Sequence, residues 1–216
     1  MSIYNINIHA HSDYSDGHSI SKLITKAKEL NFTALVITDH FYYNNYNMWC
    51  SLNYSKYTKL LEEIKELSEI HNYPIINGIE LAFGGEEILI FGQELICDLI
   101  KNRENRSKLS IKDLIKLKND HNSVCILCHP IDISTWNKLY ELFDGYEEYN
   151  SGQDMFSNNR ERGKLDGLPK WYNSDAHAVI SLERCYNIVD TNIISEQDLI
   201  DYIKSGKQPE FYLKEV

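Results

Sequence analysis

Residues 6–40 read INIHAHSDYSDGHSISKLITKAKELNFTALVITDH, and the fold class follows from this stretch. Ile6–His9 reads as a strand. Ser19–Leu30 places Ile20, Leu23, Ile24, Ala27 and Leu30 on one face at helical spacing. Ala34–Thr38 (ALVIT) is the kind of continuous apolar, β-branched run that suits a strand buried in a parallel sheet. The pattern is strand, helix, strand.

The same alternation continues outward. Tyr54–His71 reads as a longer helix with Tyr57, Leu60, Leu61, Ile64 and Leu67 on its stripe. Pro74–Glu80 and Glu87–Phe91 read as strands joined by a Gly84-Gly85 turn. Ser110–His121 reads as a helix and Ser123–Cys128 as a strand. Ser134–Leu142 is helical, Tyr146–Tyr149 extended, and Lys170–Asn173 and Cys185–Val189 are strands. Ser195-Glu-Gln-Asp198 resembles a capping box opening a last helix through Ile203. Phe41–Asn53 is aromatic and polar without a period and reads as a loop over strand ends. Such alternation predicts an α/β fold with a mainly parallel sheet, in one domain over residues 1–216.

Composition narrows the function. Hydrophobic residues are 43% and charged residues 25% of 216, as in an ordinary globular chain. No apolar run approaches the ~18 residues of a membrane span, and the start has no export signal, so a cytoplasmic location without membrane contact is expected. The formal net charge of −10 argues against duplex nucleic acid as a partner. Five cysteines, an odd count, read as reduced thiols. Cys125-Ile-Leu-Cys128-His129 matches a haem-attachment pattern, but in a strand residues three apart point to opposite faces, so the two sulfurs cannot serve one haem or one zinc.

The chemistry-bearing residues sit at strand ends. His9 and His11, two apart, share one face of a strand and can reach one cation. Asp16 follows in the Ser15-Asp16-Gly17 turn. His40 ends the second strand, Glu80 another, His129 the next, and Asp175 and His177 again are two apart. Imidazole with carboxylate suits zinc, manganese or iron. His71 and His121, at helix ends, are expected to serve the helix dipole, and His18 stands near enough to the Asp16 turn to reach the site. Asp39, facing away from His40's side of the strand, is expected to orient a ligand histidine.

HAHSDYSDG, VITDH, GIE, CHP and NSDAH, in this order, resemble the PHP (polymerase and histidinol phosphatase) family from His9 to the terminal helix. The resemblance implies a distorted TIM-like barrel of roughly seven β/α units with a cleft at the C-terminal ends of the strands. It implies two or three divalent metal ions. One would be held by His9, His11, Glu80 and Asp175, a second by Glu80 and His129, a third by Asp16, His40 and His177. Many relatives carry a histidine where this chain has Leu89, so the second metal lacks one protein ligand; Glu87 shares Leu89's strand face.

The implied activity is hydrolysis of a phosphoester on a small phosphorylated metabolite or nucleotide. Adjacent metals make hydroxide available at neutral pH, with Glu80, Asp175 and His177 in the catalytic set. Arg160, Arg162 and Arg184 are candidate phosphate-binding residues, and Asn150 resembles a pocket asparagine of relatives. The alternatives are a single-strand exonuclease, a protein-tyrosine phosphatase of the same family, or a degenerate module that binds metal for regulation.

Overall fold

A computed structural model describes residues 2–45, 48–83, 85–103, 109–130, 143–153, 158 and 167–214. The elements in chain order are β1 (Tyr4–Ile6), α1 (Ile20–Glu29), β2 (Leu35–Tyr42), α2 (Tyr54–His71), β3 (Ile75–Phe83), β4 (Glu86–Phe91), α3 (Gln93–Lys101), α4 (Ile111–Asp120), β5 (Val124–Leu127), β6 (Gly145–Asn150), β7 (Lys170–Asn173), a short 3-10 turn (Val179–Glu183), β8 (Cys185–Val189), α5 (Glu196–Lys204) and β9 (Glu210–Leu213). The expected helix over Ser134–Leu142 lies outside the described residues.

Local chemistry sets the helix ends. Asn53 accepts from Lys56 N at 2.9 Å to open α2, Ser110 and Asp113 form a reciprocal capping box on α4, and Ser195 accepts from Asp198 N on α5. Asn31, Asn72 and Asn122, with φ of 54°, 44° and 53°, stop α1, α2 and α4 in the left-handed conformation that asparagine tolerates better than most residues.

The α/β class holds, but the main sheet is mixed rather than all parallel, and the described residues form a curled sheet rather than a full barrel of seven β/α units. Six strands run in the order β2-β3-β4-β5-β6-β7, and β1-β8-β9 form a separate antiparallel sheet. β2–β3, β5–β6 and β6–β7 are parallel, but β4 is antiparallel to both neighbours. The reason is covalent: two residues separate β3 from β4, while a parallel return needs a crossover of about a dozen or more. The result is a curled mixed sheet with five α-helices among the described residues.

Residues 7–12 lie between the two edges of this sheet. Thr38 N donates to Ala10 O at 2.8 Å on one side, and His11 N donates to Ala176 O at 3.0 Å on the other. The junction with β7 is made largely by side chains. Asn173 Oδ1 accepts from Ile8 N at 3.2 Å and from Asn187 Nδ2 at 3.0 Å, and Asn7 Nδ2 donates to Ser174 Oγ.

Two apolar clusters occupy the two faces of the curled sheet. The outer one packs Leu35, Ile37, Ile79, Leu81, Ile88 and Ile90 against Ile20, Leu23, Tyr57, Leu60, Leu95 and Leu99 of the helices. The inner one holds Ile6, Ile8, Val36, Ile76, Leu89, Phe91, Ile126 and Trp171 and is plugged by Leu199, Ile200 and Ile203 of α5. Cys125 belongs to the outer cluster and Cys128 to the inner one, on opposite faces as the strand period requires. α5 marks the lower end: Glu196 Oε1 accepts from Gly92 N, just past the end of antiparallel β4. The start of β4 therefore lies at the upper end, with the C-terminal ends of β2, β3 and β5. No helix among the described residues is long and apolar enough to cross a membrane.

Candidate metal centre

Along β3 the alternation sends Ile79 and Leu81 outward and Glu80 inward. Glu80 is 1% exposed and lies among four imidazoles. Its Oε1 is 3.2 Å from both His9 Nε2 and His129 Nε2; its Oε2 is 2.6 Å from His40 Nδ1 and 3.5 Å from His11 Nε2. Asp175 Oδ1 is 3.0 Å from His11 Nε2, 3.3 Å from His9 Nε2 and 3.6 Å from His177 Nδ1. Asp16 Oδ1 is 3.4 Å from His177 Nε2 and 3.5 Å from His40 Nε2. All eight residues expected at the metals from the sequence are thus brought together. A Cβ on Gly17 would sit 2.0 Å from His11 O, so the turn that presents Asp16 needs a glycine.

Burial and charge compete throughout. Burial alone raises the Glu80 carboxyl, but His9, His129 and His40 hold it well below the usual range. Asp175 is likewise lowered, against its burial, by His9 and His11. Burial lowers His40 and His129, yet Asp16 and Glu80 push the first up to about 11 and Glu80 pushes the second up to about 9. His11, fully enclosed, is lowered by burial.

The donors fit a divalent cation better than they fit one another. His11 Nδ1, Asp16 Oδ1, His40 Nδ1 and Glu80 Oε2 are buried and have no hydrogen-bond partner among the described residues. The short His40–Glu80 approach is not aligned as a hydrogen bond, and buried polar atoms left so are rare without an ion or water. Donor atoms of His11, Asp16, His40 and His177 lie within 4.8 Å of one another, as do those of His9, His11 and Glu80.

Glu147 is the residue the sequence reading missed. It is 3% exposed, and its Oε1 lies 2.8 Å from His9 Nδ1 and accepts from Asn173 Nδ2 at 2.8 Å. Its Oε2 accepts from Asn150 Nδ2 at 2.9 Å and His129 N at 3.0 Å. A carboxylate on the far nitrogen of an imidazole fixes the tautomer that presents Nε2 to a cation. A register shift in β6 between Glu147 and Tyr149 hides its inward orientation from a simple period-2 reading. The Asn150 amide, which also accepts from Gly152 N at 2.8 Å, braces Glu147.

Other expected residues lie elsewhere. Asp39 does not orient a histidine: its carboxylate accepts from Ser12 N at 2.7 Å and from the hydroxyls of Ser12 and Ser15, holding the turn before Asp16. His18 stays outside the cluster, near Val179 N at 3.5 Å. Arg184 is exposed beside the three-stranded sheet, its carbonyl accepting from Lys214 N at 2.9 Å. Arg160 and Arg162 lie outside the described residues. His71 ends α2 and His121 caps α4, as expected.

Comparison with known proteins agrees with this geometry. The PHP domain family matches residues 7–182, and a PHP-associated family matches residues 165–208. No curated protein sequence matches the chain. The fold is similar to that of PsfC from Pseudomonas syringae PB-5123, with TM-score 0.68 and 16% identity over 99% of this chain and 93% of that one. It is also similar to a lesion-specific endonuclease, EndoQ from Pyrococcus furiosus, with TM-score 0.66 and 16% identity over 97% of this chain and 58% of that one. A two-domain protein from Bacteroides vulgatus ATCC 8482, described as containing a PHP-like metal-dependent phosphoesterase, gives TM-score 0.63 and 17% identity over 98% of this chain and 65% of that one. The chain therefore spans less than two thirds of the length of the last two. Endonuclease Q has also been solved with a 27-mer duplex bearing an abasic lesion at its active site, at TM-score 0.60 and 15% identity. That corrects the exclusion of duplex nucleic acid. Net charge describes a whole chain and not the surface around one cleft, and a protein that contains this fold was solved with a duplex.

Proposed function

The chain belongs to the PHP family, and on that premise we propose that it is a metal-dependent phosphoesterase, one domain over residues 1–216, acting on a small phosphorylated metabolite or nucleotide. The observation that carries the reading is Glu80: one buried carboxylate touched by four imidazoles, with unpaired donor atoms around it. His9, His11, Glu80 and Asp175 would hold one cation, Glu80 and His129 a second, and Asp16, His40 and His177 a third, with zinc, manganese or iron suited to these donors. Bound cations supply positive charge that neutralises phosphate oxygens and acidifies water.

The chain's own residues do the rest. Glu147 and the backbone N–H of His129 lock the donors before substrate arrives, so little reorganisation remains. Asp175 and His177 face one another at 3.6 Å at the edge of the cluster, and the Asp175 carbonyl accepts from His177 Nδ1 at 3.0 Å, which leaves Nε2 free to face the third cation. A cavity of ≈ 380 Å³, lined by Tyr42, Asn44, Asn45, Phe83, Glu87 and His129, opens beside the donors and can receive the organic part of a substrate.

The likeness to Endonuclease Q favours a second reading, hydrolysis of a phosphodiester in nucleic acid. One experiment addresses both. Protein with verified metal content is assayed against phosphomonoesters, dinucleotides, single-stranded oligonucleotides and a duplex with an abasic site. Release of phosphate from monoesters alone supports the first reading, and cleavage of strands the second. No hydrolysis of any of them by the metal-loaded protein would refute both.

A further inference from the structure

We propose that Glu87 is a cation ligand: with Glu80 and His129 it completes an oxygen-rich position at the mouth of the cluster, suited to an oxygen-preferring divalent cation such as manganese(II). The proposal rests on the metal-dependent reading above and names a donor that reading lacks.

The register places it. β3 and β4 pair Glu80 with Leu89 and Ala82 with Glu87. Directly opposed residues of an antiparallel pair share a face, as do residues two apart on one strand. Glu80, Leu89 and Glu87 therefore all face inward. Leu89 is fully buried in the inner apolar cluster with Ile8, Val36 and Ile126, so it forms the floor below the donors. Glu87 lies two residues nearer the mouth. Its Oε2 is 3.4 Å from His129 Nε2, and its donor atoms lie within 4.8 Å of those of Glu80 and His40. Cys128 N donates to Glu87 O at 2.9 Å, which ties this strand to the segment that carries His129.

The second observation is Glu80 Oε2, an enclosed carboxylate oxygen that faces His40 Nδ1 at 2.6 Å without an aligned hydrogen bond among the described residues, in the group that its side chain forms with His40 and Glu87. Two carboxylates this close repel, and a cation between them relieves the repulsion. Carboxylate oxygens and one imidazole favour manganese(II) more than a set of nitrogen and sulfur donors does. Cys128 is the competing donor, since its sulfur also lies within 4.8 Å of donor atoms of Glu80 and His129. It belongs to the apolar floor with Leu89, whereas Glu87 borders the open cavity.

The test titrates manganese(II) into metal-free full-length protein and reads free manganese by electron paramagnetic resonance. Glu87→Gln keeps the shape and removes the charge; it should weaken one equivalent by at least ~10-fold, the scale of lost support to a metal site, and leave the others in place. Glu87→His retains a donor and should keep that equivalent while raising its preference for zinc. Cys128→Ser should titrate like wild type. Superimposable curves for wild type and Glu87→Gln would overturn the proposal, as would loss of the equivalent in Cys128→Ser with retention in Glu87→Gln. Wild type that takes up no manganese and no zinc would instead defeat the metal-dependent reading itself. Should Glu87→Gln fail to fold, an unchanged preference for manganese over zinc in folded Glu87→His decides against Glu87.

Discussion

The two faces of β3 obey different rules. Ile79 and Leu81 point outward into an apolar layer against the helices, while Glu80, between them, points inward among four imidazoles. The outward side chains stabilise the fold by leaving water. The inward one is held by its neighbours' charges, and one of its oxygens has no hydrogen-bond partner among the described residues. One strand thus carries stability on one side and reactivity on the other, and a substitution should betray its side by what it changes.

The largest expected effect is at the inward position. Glu80→Gln should lower hydrolysis by at least about two orders of magnitude, the scale for a lost electrostatic element of a site, while circular dichroism shows the fold retained at neutral pH. Activity within a few-fold of wild type would show that the two faces do not differ as described. The outward counterpart is Ile79→Ala, which should cost about 2–5 kcal/mol in urea unfolding. Its activity per folded molecule should stay unchanged; a matching fall in kcat would erase the contrast.

Glu147→Gln probes a side chain that is inward yet at one remove from substrate. Loss of its hold on His9 Nδ1 should weaken metal affinity by about 10–100-fold, seen by chelator competition, with activity restored at high metal concentration. Cys125→Ser and Cys128→Ser, one outer and one inner, should each lose about 1–3 kcal/mol for a buried hydroxyl and keep their metal content.

The last contrast is with pH. In metal-free protein His129 is raised to about 9 and His40 to about 11 from an ordinary value of 6.5. Their contribution to stability is complete below 6.5 and is lost as pH rises through those folded values. Glu80 and Asp175 are lowered, so their contribution is present above the usual carboxylate range and lost as pH falls. The urea midpoint of metal-free protein should therefore fall between pH 6.5 and 10. Metal-loaded protein, whose ligand imidazoles must be neutral, should change less over that interval. Equal slopes for the two forms would count against these imidazoles as ligands.

Much of this was legible in the sequence. α2, β7 and β8 fall where periodicity places them, but His40 and Glu80 stand inside β2 and β3 rather than at their ends, and His9 and His11 follow β1 outside any strand. α3 went unread although Leu95, Ile96, Leu99 and Ile100 have helical spacing, because it opens on Gly92 at φ 131° with no side-chain cap to announce it. β2 runs on through His40 to Tyr42, since backbone pairing with β3 outweighs the polar look of that segment. The Gly84-Gly85 turn already implied an antiparallel return that alternation alone obscured. Glu147 was hidden by a register shift, and the Asp39 contacts depend on a turn that only the folded chain defines.

The asparagine junction between residues 7–12 and β7 has a consequence in time. Asn7 and Ser174 are 167 residues apart in the chain, and Ile8 and Asn173 are 165 apart, whereas β3 and β4 pair across two residues. Contacts of such long sequence separation are slow to form, because loop closure must precede any gain from them. The hairpin is therefore expected early and the junction late. His9 and His11 stand on one side of it, Asp175 and His177 on the other. A chain emerging from its amino end has no complete set of donors until residue 177 is made and the junction has closed. Cations binding the full set would select the finished molecule, and metal supply would then shift the last step of folding toward completion.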